Sequence, residues 1–285
     1  MNQVRKIKQV LKSQPTLEGA GVHLRRAFGF CEAPQFDPFL LLDDFHSDNS
    51  ADYIKGFPWH PHRGIETITY VLHGDIEHGD SMGNKGVIGS GDVQWMTAGS
   101  GIIHQEMPKG DKKGLMWGFQ LWANLPAAQK MMTPRYRDIT ADQIPEVELE
   151  NGVRIKIVCG MVNDEKGPVQ DIVIDPQYLD IMVPGAKMYS HPVKPDHTVL
   201  AYVIGGNGYF DEDKTRRIDR ETLLLFEPGD HISAIAGDET FRFLLVSGKP
   251  LKEPVAWHGP IVMNTQAELE TAFQEYREGT FIKQG

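Results

Sequence analysis

Cysteine, long apolar runs and positive charge are all scarce in this chain of 285 residues. Two cysteines, Cys31 and Cys159, are too few for a disulfide framework in a chain of this length, so we expect a reducing compartment. No stretch of about 18 uncharged apolar residues occurs, which argues against a membrane-spanning helix. The basic N-terminus is not followed by an apolar stretch, so we expect no signal peptide. These absences predict a cytoplasmic location, or a nuclear one if the source is eukaryotic.

Negative charge exceeds positive charge, with 39 Asp and Glu against 29 Lys and Arg and a formal net charge of −10. Nucleic-acid grooves require clustered Lys and Arg, so we expect no direct contact with nucleic acid. The basic residues near the N-terminus (Arg5, Lys6 and Lys8) are interpreted as a solvated face. A hydrophobic fraction of 40% is typical of a globular protein, and the length allows two domains that each bury a core.

Short alternating or apolar runs, separated by Gly, Pro, Asn and Asp, dominate the sequence. This pattern predicts an all-β protein built from barrels or sandwiches. The clearest runs span residues 67–72, 86–88, 92–96, 115–122, 153–158, 179–183, 199–204, 222–226 and 241–246. Near the C-terminus, Thr265 and Glu268 form a capping-box pattern before an apolar stripe at helical spacing, which ends at Gly279. The sequence therefore predicts one short C-terminal helix that packs on its own barrel.

An internal repeat predicts two barrels in one chain. Residues 70–75 (YVLHGD) return as residues 202–207 (YVIGGN), an offset of 132 positions. The pairs Gly91-Asp92 and Ala98-Gly99 return at an offset of 138 positions. The repeat predicts a boundary between the two barrels within residues 133–150.

Two short clusters of potential metal ligands are the most informative feature of the sequence. His60 and His62 are separated by one residue, as are His104 and Glu106. Side chains at i and i+2 of a strand point to the same face, so two neighbouring strands can direct all four ligands at one point inside a barrel. Three imidazoles and a carboxylate suit a divalent transition metal, and an octahedral ion with four protein ligands keeps two positions for a substrate or dioxygen. A single His-x-His pair is common, but two clusters of matching geometry predict a metal site.

The residues alone leave the carboxylate ligand and the metal open. Glu66 has the same strand parity as His60 and His62, so it competes with Glu106 for the role of ligand. The donor set suits Fe, Ni, Cu, Co, Mn or Zn, and the absence of cysteine ligands only disfavours a closed structural zinc site. In the second barrel the repeat offsets lead to four poor ligands, Pro192, Lys194, Arg242 and Leu244. That barrel is therefore predicted to hold no metal.

The segments around these ligands resemble the two cupin motifs of the pirin family. Residues 56–66 (GFPWHPHRGIE) are similar to the first motif, and residues 91–108 (GDVQWMTAGSGIIHQEMP) to the second. Further pirin-like segments are residues 36–43 (FDPFLLLD), 120–126 (QLWANLP) and 258–265 (HGPIVMNT), so the resemblance covers most of the chain. It implies a bicupin of two jelly-roll barrels, with a metal-binding barrel in residues 1–135 and a degenerate barrel with the terminal helix in residues 136–285.

The resemblance also implies how the site is built. It implies one metal, usually iron, with His60, His62, His104 and Glu106 as its ligands. Glu66 would then orient a ligand or a bound water, or pair with Arg63, and Glu106 or Glu66 would accept a proton during catalysis. Nearby aromatic and methionine side chains are candidates for an apolar substrate pocket: Phe57, Trp59, Trp95, Met96 and Met107.

Three functions follow from these patterns as expectations. Resemblance to pirins with quercetin 2,3-dioxygenase activity implies an oxidoreductase that cleaves a small aromatic substrate, a flavonol such as quercetin. Resemblance to other pirins implies a regulatory protein whose metal senses redox state and which contacts transcription factors or metabolic enzymes. A cupin isomerase or another non-redox metalloenzyme is the third. The acidic surface suits protein partners but is equally a feature of ordinary solubility, so the sequence does not separate them.

Overall fold

The structure is a computed structural model that describes residues 3–283. These residues form an all-β fold, as the sequence predicts, with two α-helices, Ala33–Phe36 (α1) and Gln266–Glu278 (α2), and short 3-10 helices at Ser50–Asp52, Ala127–Gln129 and Ala141–Gln143. Neither α-helix in this range is long and apolar enough to cross a membrane. The strands are, in chain order, Ile7–Lys12 (β1), Gln14–Glu18 (β2), Val22–Phe28 (β3), Phe39–Ser47 (β4), Phe57–His62 (β5), Ile65–His73 (β6), Asp75–Asp80 (β7), Lys85–Ile88 (β8), Val93–Thr97 (β9), Ile102–Lys109 (β10), Met116–Asn124 (β11), Arg135–Ile139 (β12), Glu146–Glu148 (β13), Arg154–Cys159 (β14), Met161–Val162 (β15), Glu165–Lys166 (β16), Gln177–Val183 (β17), Met188–Pro192 (β18), Thr198–Gly205 (β19), Asn207–Tyr209 (β20), Ile218–Asp219 (β21), Thr222–Phe226 (β22), His231–Ala236 (β23), Phe241–Gly248 (β24), Ala256–His258 (β25) and Ile261–Met263 (β26).

The first barrel consists of residues 14–35, 39–141 and 251–283. Its larger sheet has the strand order β12-β9-β6-β11-β4-β3-β2, and its smaller sheet has the order β5-β10-β7-β8. All of these neighbours are antiparallel. The strand β10 therefore has β5 on one side and β7 on the other, an arrangement that positions the candidate site.

The second barrel consists of residues 3–13, 36–38 and 142–250. Its sheets follow the same pattern, in the orders β1-β22-β19-β24-β17-β14-β13 and β18-β23-β20-β21. The chain passes from the first barrel to the second between Ala141 and Asp142. The N-terminal strand β1 belongs to the second barrel, whereas the C-terminal residues 251–283 belong to the first.

The interiors of the two barrels differ in polarity. In the second barrel, inward side chains of both sheets form one hydrophobic cluster that includes Ile181, Phe210 and Phe243. In the first barrel, apolar clusters lie beside a group of buried polar side chains that includes His104 and Glu106. Buried polar groups require partners, so the first barrel is the one whose interior calls for a ligand.

The shared strand order corrects the equivalences that sequence offsets suggest. β10 corresponds to β23 and not to β24, because each is the second strand of its smaller sheet. The repeated Gly-Asp and Ala-Gly pairs flank β9 in the first barrel but β23 in the second, so the offset of 138 leads to the wrong strand and to Arg242 and Leu244. Cross-strand pairing gives different counterparts for the four candidate ligands: His191 for His60, Val193 for His62, Ile232 for His104 and Ala234 for Glu106.

The C-terminal helix α2 begins and ends as the sequence predicts. The Thr265 hydroxyl accepts a hydrogen bond from the backbone N–H of Glu268 (3.2 Å), and the Glu268 carboxylate accepts one from the backbone N–H of Thr265 (2.9 Å). The helix ends at Gly279, which has the left-handed φ of 73°. Its apolar face, with Leu269 and Ala272 buried, packs within the first barrel.

Candidate metal centre

Three histidines meet on the neighbouring strands β5 and β10. The antiparallel register pairs His104 with His60 and places His62 opposite Ile102. The ligand atoms of His60, His62 and His104 all lie within 4.8 Å of one another. The ring centroids are 4.3 Å apart for His60 and His104, 4.8 Å for His60 and His62, and 5.0 Å for His62 and His104. Strand alternation therefore brings both members of the first cluster and one member of the second to a single point.

Backbone carbonyl groups determine which ring nitrogens are free to bind a metal. Nδ1 of His60 lies 2.9 Å from the oxygen of Pro58, and Nδ1 of His62 lies 3.0 Å from the oxygen of Pro260. Because a carbonyl oxygen only accepts, both Nδ1 atoms carry the proton and both Nε2 atoms present a lone pair. These two Nε2 atoms are 3.1 Å apart. That separation is close to the roughly 3 Å expected between adjacent nitrogens that each lie about 2.1 Å from one octahedral ion.

Burial disfavours the alternative that a proton bridges these nitrogens. Burial lowers the pKa of His62 and the pKa of His104 well below the ordinary value for histidine, and repulsion from the neighbouring imidazoles lowers them further. Both ring nitrogens of His104 are buried and have no hydrogen-bond partner among residues 3–283. Unpaired buried polar atoms and converging lone pairs fit a divalent metal at this point.

Glu106 is buried beside this histidine group but is not one of its members. Its Oε1 accepts a hydrogen bond from Oγ1 of Thr69 (3.1 Å), and its Oε2 accepts one from Nε2 of Gln120 (3.0 Å). Gln120 in turn accepts a hydrogen bond from Nε1 of Trp122 (3.1 Å). Each carboxylate oxygen keeps a second lone pair, so the network orients Glu106 without removing its capacity to bind a metal.

Glu66 lies apart from the histidines, in the larger sheet. Its carboxylate accepts a hydrogen bond from Oγ1 of Thr97 (2.6 Å) and is 3.8 Å from the guanidinium of Arg135. Burial raises the pKa of Glu66, although Thr97 and Arg135 oppose the shift. Arg63, the other partner expected for Glu66, pairs instead with Glu275 of α2 (2.8 Å). The position of Glu66 suits support of the sheet around the site more than direct contact with a metal.

C-terminal residues hold the turn that follows His62. Besides the Pro260 carbonyl, the buried guanidinium of Arg63 donates hydrogen bonds to the carbonyl oxygens of Ser100 (2.7 Å) and Phe281 (2.8 Å). Gly64 has a φ of 78°, and a Cβ at this position would collide with the carbonyl oxygen of Val262. Glycine is required here because it tolerates both the left-handed backbone and the close approach.

Lys130 ties the same turn to the C-terminal segment. Its buried Nζ donates hydrogen bonds to the oxygens of Gly64 (2.8 Å), Asn124 (2.7 Å) and Val262 (3.0 Å). Burial lowers the pKa of Lys130 to about 7. Three acceptors around one ammonium group make this a fixed junction between the strand that follows His62 and the segment that contains Pro260.

An open cavity of about 720 Å³ reaches His60 and His62. Part of its lining is aromatic, because Trp257 lies 5.4 Å from Phe30 and 6.0 Å from Trp122 between ring centroids. The flat faces of these three aromatic side chains suit a planar apolar ligand.

Another part of the cavity lining is an ion-paired group. Arg26 donates two hydrogen bonds to the carboxylate of Asp43 (2.9 and 2.8 Å) and pairs with Glu18 (2.8 Å). Burial raises the pKa of Asp43 to about 6, against the opposing effect of Arg26. Two carboxylates share one guanidinium, so this part of the lining offers acceptors for hydroxyl groups and no unpaired cation for an acidic ligand.

Among the expected pocket residues, only Phe57 lines this cavity. Trp95 and Met96 are buried in the barrel, Trp59 is half exposed, and Met107 is partly buried outside the lining. Proximity in sequence to the ligands therefore identified Phe57 as a lining residue, but none of the other four expected residues.

Family profiles match both barrels: the Pirin profile spans residues 21–123, and the Pirin C-terminal cupin domain profile spans residues 178–282. The chain belongs to the pirin family. A pirin-like protein from Caulobacter vibrioides is 42% identical to it, with 98% of this chain and 99% of that protein aligned. A Pseudomonas aeruginosa protein with the name "Putative quercetin 2,3-dioxygenase" is 39% identical, with 98% and 99% aligned.

Two solved structures share the fold of this chain. Quercetin 2,3-dioxygenase from Acinetobacter baumannii matches with a TM-score of 0.89 at 32% identity, over 98% of this chain and 99% of that one. The bacterial pirin YhhW from Escherichia coli, solved in complex with nickel(II), matches with a TM-score of 0.65 at 23% identity, over 85% of this chain and 99% of that one. At that lower identity, the second likeness shows the fold alone.

Sequence reasoning about this pirin missed the residues that complete the site. Gln120 and Trp122 stand at i and i+2 of β11, the same spacing that revealed the ligands. Pro260 lies in the pirin-like segment 258–265, and Trp257 directly precedes it. The signal was present in both segments, but nothing in it indicated that residues 258–265 would join the metal-binding barrel.

Proposed function

We propose that the first barrel binds one divalent transition metal through His60, His62, His104 and Glu106 and uses it with dioxygen to cleave a flavonol such as quercetin. The observation that supports it best is the pair of Nε2 atoms, 3.1 Å apart, whose rings already donate their Nδ1 protons to carbonyl oxygens. Such a pair is prepared for a cation, and it lies at the cavity lined by Trp122 and Trp257.

Iron is the metal that we propose for the site. The donor set of neutral imidazoles and one carboxylate is that of the non-haem iron oxygenases with one additional histidine. The nickel(II) bound by the E. coli pirin YhhW, which shares this fold, is likewise a divalent first-row ion. Neither cysteine competes, since Cys31 and Cys159 are outside the histidine group.

The cavity supports a flat, hydroxylated substrate. Rings of a flavonol can pack on Trp122, Trp257 and Phe30, while its hydroxyl groups donate hydrogen bonds to the carboxylates of Asp43 and Glu18. Because Arg26 is already paired with both carboxylates, a substrate with a carboxylate of its own gains little there. The proposal therefore includes a preference for neutral phenols over aromatic acids.

When bound, the metal supplies Lewis acidity that lowers the pKa of a substrate hydroxyl, and a redox centre for dioxygen. Glu106 is the residue that we propose to accept the hydroxyl proton, because Thr69 and Gln120 hold its carboxylate on the inward face of β10. Glu66 acts from a distance, through the sheet residues Thr97 and Arg135. The overall reaction adds both oxygen atoms of dioxygen to the flavonol and releases one ring carbon as carbon monoxide.

The test is oxygen uptake and carbon monoxide release by the iron-loaded full-length protein with quercetin. We expect equal amounts of oxygen consumed and carbon monoxide released, and loss of both with His60→Ala. His191→Ala, which changes the counterpart of His60 in the second barrel, should keep both. Folded, iron-filled protein that turns over no flavonol would contradict the enzyme and favour a regulatory role with protein partners.

A further inference from the structure

His78 and Asp80 form a buried pair on the side of β10 that faces away from β5. In the smaller sheet, His104 pairs with His60 of β5 on one side and with Asp80 of β7 on the other. Nε2 of His78 lies 3.2 Å from Oδ2 of Asp80, and both side chains are fully buried. Neither residue belongs to the histidine group or lines the open cavity.

The three histidines of the metal centre differ in how their second ring nitrogen is held. A histidine that binds a metal normally donates its other ring N–H to a carbonyl, a carboxylate or a water, which fixes the ring and makes the ligand more basic. His60 and His62 use the carbonyl oxygens of Pro58 and Pro260. His104 has no such partner anywhere in the described part of the chain, so its outer nitrogen needs an acceptor.

His78 presents an acceptor of the required kind. The Asp80 carboxylate is already anchored, since it accepts hydrogen bonds from the backbone N–H groups of Met82 (2.9 Å) and Asn84 (3.0 Å) and from Nδ2 of Asn84 (2.8 Å). The anchored carboxylate accepts from Nε2 of His78, so in the neutral ring the lone pair is on Nδ1. This Nδ1 is buried and unpartnered within residues 3–283, and the His78 ring centroid is 5.5 Å from that of His104.

The geometry points to His78 as a positioning residue for the metal ligand His104. Nδ1 of His78 accepts the outer ring N–H of His104 when a metal is bound, directly or across one water, and Asp80 fixes the tautomer of His78. This inference rests on the proposed metal site but not on the proposed flavonol reaction. It makes His104 the one histidine ligand that is oriented by side chains, whereas backbone atoms orient His60 and His62.

Two other buried groups compete for the same role. The Tyr136 hydroxyl and the side-chain amide of Gln94 are close enough to interact with each other, and neither makes a well-aligned hydrogen bond to a further described residue. Tyr136 stacks on His78, with ring centroids 4.8 Å apart, so it is suited to hold the His78 ring in place. His78 is favoured because only His78 is backed by a carboxylate, the feature that strengthens an acceptor behind a metal-bound histidine.

Cobalt(II) titration of the metal-free full-length protein tests this inference, because its visible absorption bands report ligand geometry. His78→Phe keeps the ring packed on Tyr136 but removes both nitrogens. We expect cobalt(II) affinity to fall about 10–100-fold and the visible bands to shift. Asp80→Asn should lower the cobalt(II) affinity by a smaller factor and shift the visible absorption bands in the same direction. His78→Asn, which returns an amide oxygen near the Nδ1 position, should recover part of the affinity.

The matched control is His191→Phe, which removes a buried histidine with two hydrogen bonds from the second barrel and should leave cobalt(II) binding unchanged. His60→Ala should abolish binding, and full binding in that variant would overturn both the metal site and this inference. Wild-type affinity and spectrum in His78→Phe would overturn the role of His78 alone. If His78→Phe does not fold, Asp80→Asn and His78→Asn decide the question by the same spectra. A larger effect of Tyr136→Phe than of the His78 variants would assign the role to Tyr136 instead.

Discussion

The two barrels have the same strand order, but the interior of the first is partly polar and the interior of the second is largely apolar. Each has a seven-stranded and a four-stranded sheet with corresponding neighbours. Where the first barrel has Thr69 and Gln120 beside Glu106, cross-strand pairing gives Ala201 and Leu245 in the second. Both of these apolar residues belong to one hydrophobic cluster. The same sheets therefore tolerate either kind of interior, so the inward side chains and not the fold decide which barrel suits a metal site.

One histidine of the second barrel stands where His60 stands in the first. His191 has Nδ1 2.7 Å from the Tyr189 hydroxyl and Nε2 3.0 Å from Oε1 of Gln177. Both ring nitrogens are therefore satisfied by protein atoms, whereas Nε2 of His60 has Nε2 of His62 as its one hydrogen-bond neighbour within residues 3–283 and lies close to His104 as well. An isolated imidazole is stabilised by hydrogen bonds, but converging imidazoles are stabilised by a cation.

The greatest change in metal binding is expected when the first barrel is made to resemble the second. The double variant His62→Ala/His104→Ala removes two of the three imidazoles that lie within 4.8 Å of one another. We expect the metal content to fall from one equivalent per chain to none, measured by elemental analysis after loading with iron(II) and removal of excess metal. A single remaining histidine is too weak a site to retain the ion.

The control for that experiment is His191→Ala, which should retain one metal equivalent. A full equivalent in the double variant would place the metal elsewhere in the chain. It would also mean that the buried polar side chains of the first barrel serve a purpose other than metal binding.

A smaller change in metal affinity is expected when either Glu106 or Glu66 of the first barrel is replaced, and the two replacements should differ in size. Glu106→Gln replaces a proposed ligand by a neutral, poorer donor, so metal affinity should fall by about 100-fold or more. Glu66→Gln should cost less, within about tenfold, because the Glu66 carboxylate is engaged by Thr97 and Arg135 in the larger sheet. Competition with a chelator measures both affinities. The reverse order would assign the fourth ligand to Glu66, the alternative that strand parity left open.

Most of the fold could be predicted from sequence because its signals are local. Short β-type runs, the repeat at residues 70–75 and 202–207, and the capping box at Thr265 each depend on neighbouring residues. Local signals also led to the pairs at i and i+2, since a strand places both members on one face. The wrong equivalence of β10 with β24 arose where a repeated Gly-Asp pair was assumed to precede the same strand in both barrels.

The remaining parts of the site depend on contacts between distant residues. Pro260 is 198 positions from His62, and Phe281 is 218 positions from Arg63, so no spacing rule connects them. The cavity aromatic residues were missed for the same reason, because Trp257 lies next to Phe30 only after the C-terminal segment joins the first barrel. His78 and Asp80 were missed despite their i and i+2 spacing, because an isolated His-x-Asp pair resembles many surface pairs.

The buried His191 of the second barrel should make the stability of the folded chain depend modestly on pH. Burial lowers the pKa of His191 to about 4 from its ordinary value of 6.5. The unfolded chain therefore binds a proton at this residue near pH 6.5, whereas the folded chain binds it only near pH 4. Stability from the neutral His191 is fully present above pH 6.5 and is lost as pH falls toward 4, by an amount on the order of 3 kcal/mol.

We expect the metal-free wild type to lose this much more stability than His191→Phe between pH 6.5 and 4, measured by urea unfolding at each pH. Other buried histidines, including His62 and His104, titrate in both proteins, so the difference isolates His191. Parallel stability curves would show that folding does not lower the pKa of His191, which would weaken the contrast between an apolar and a polar interior.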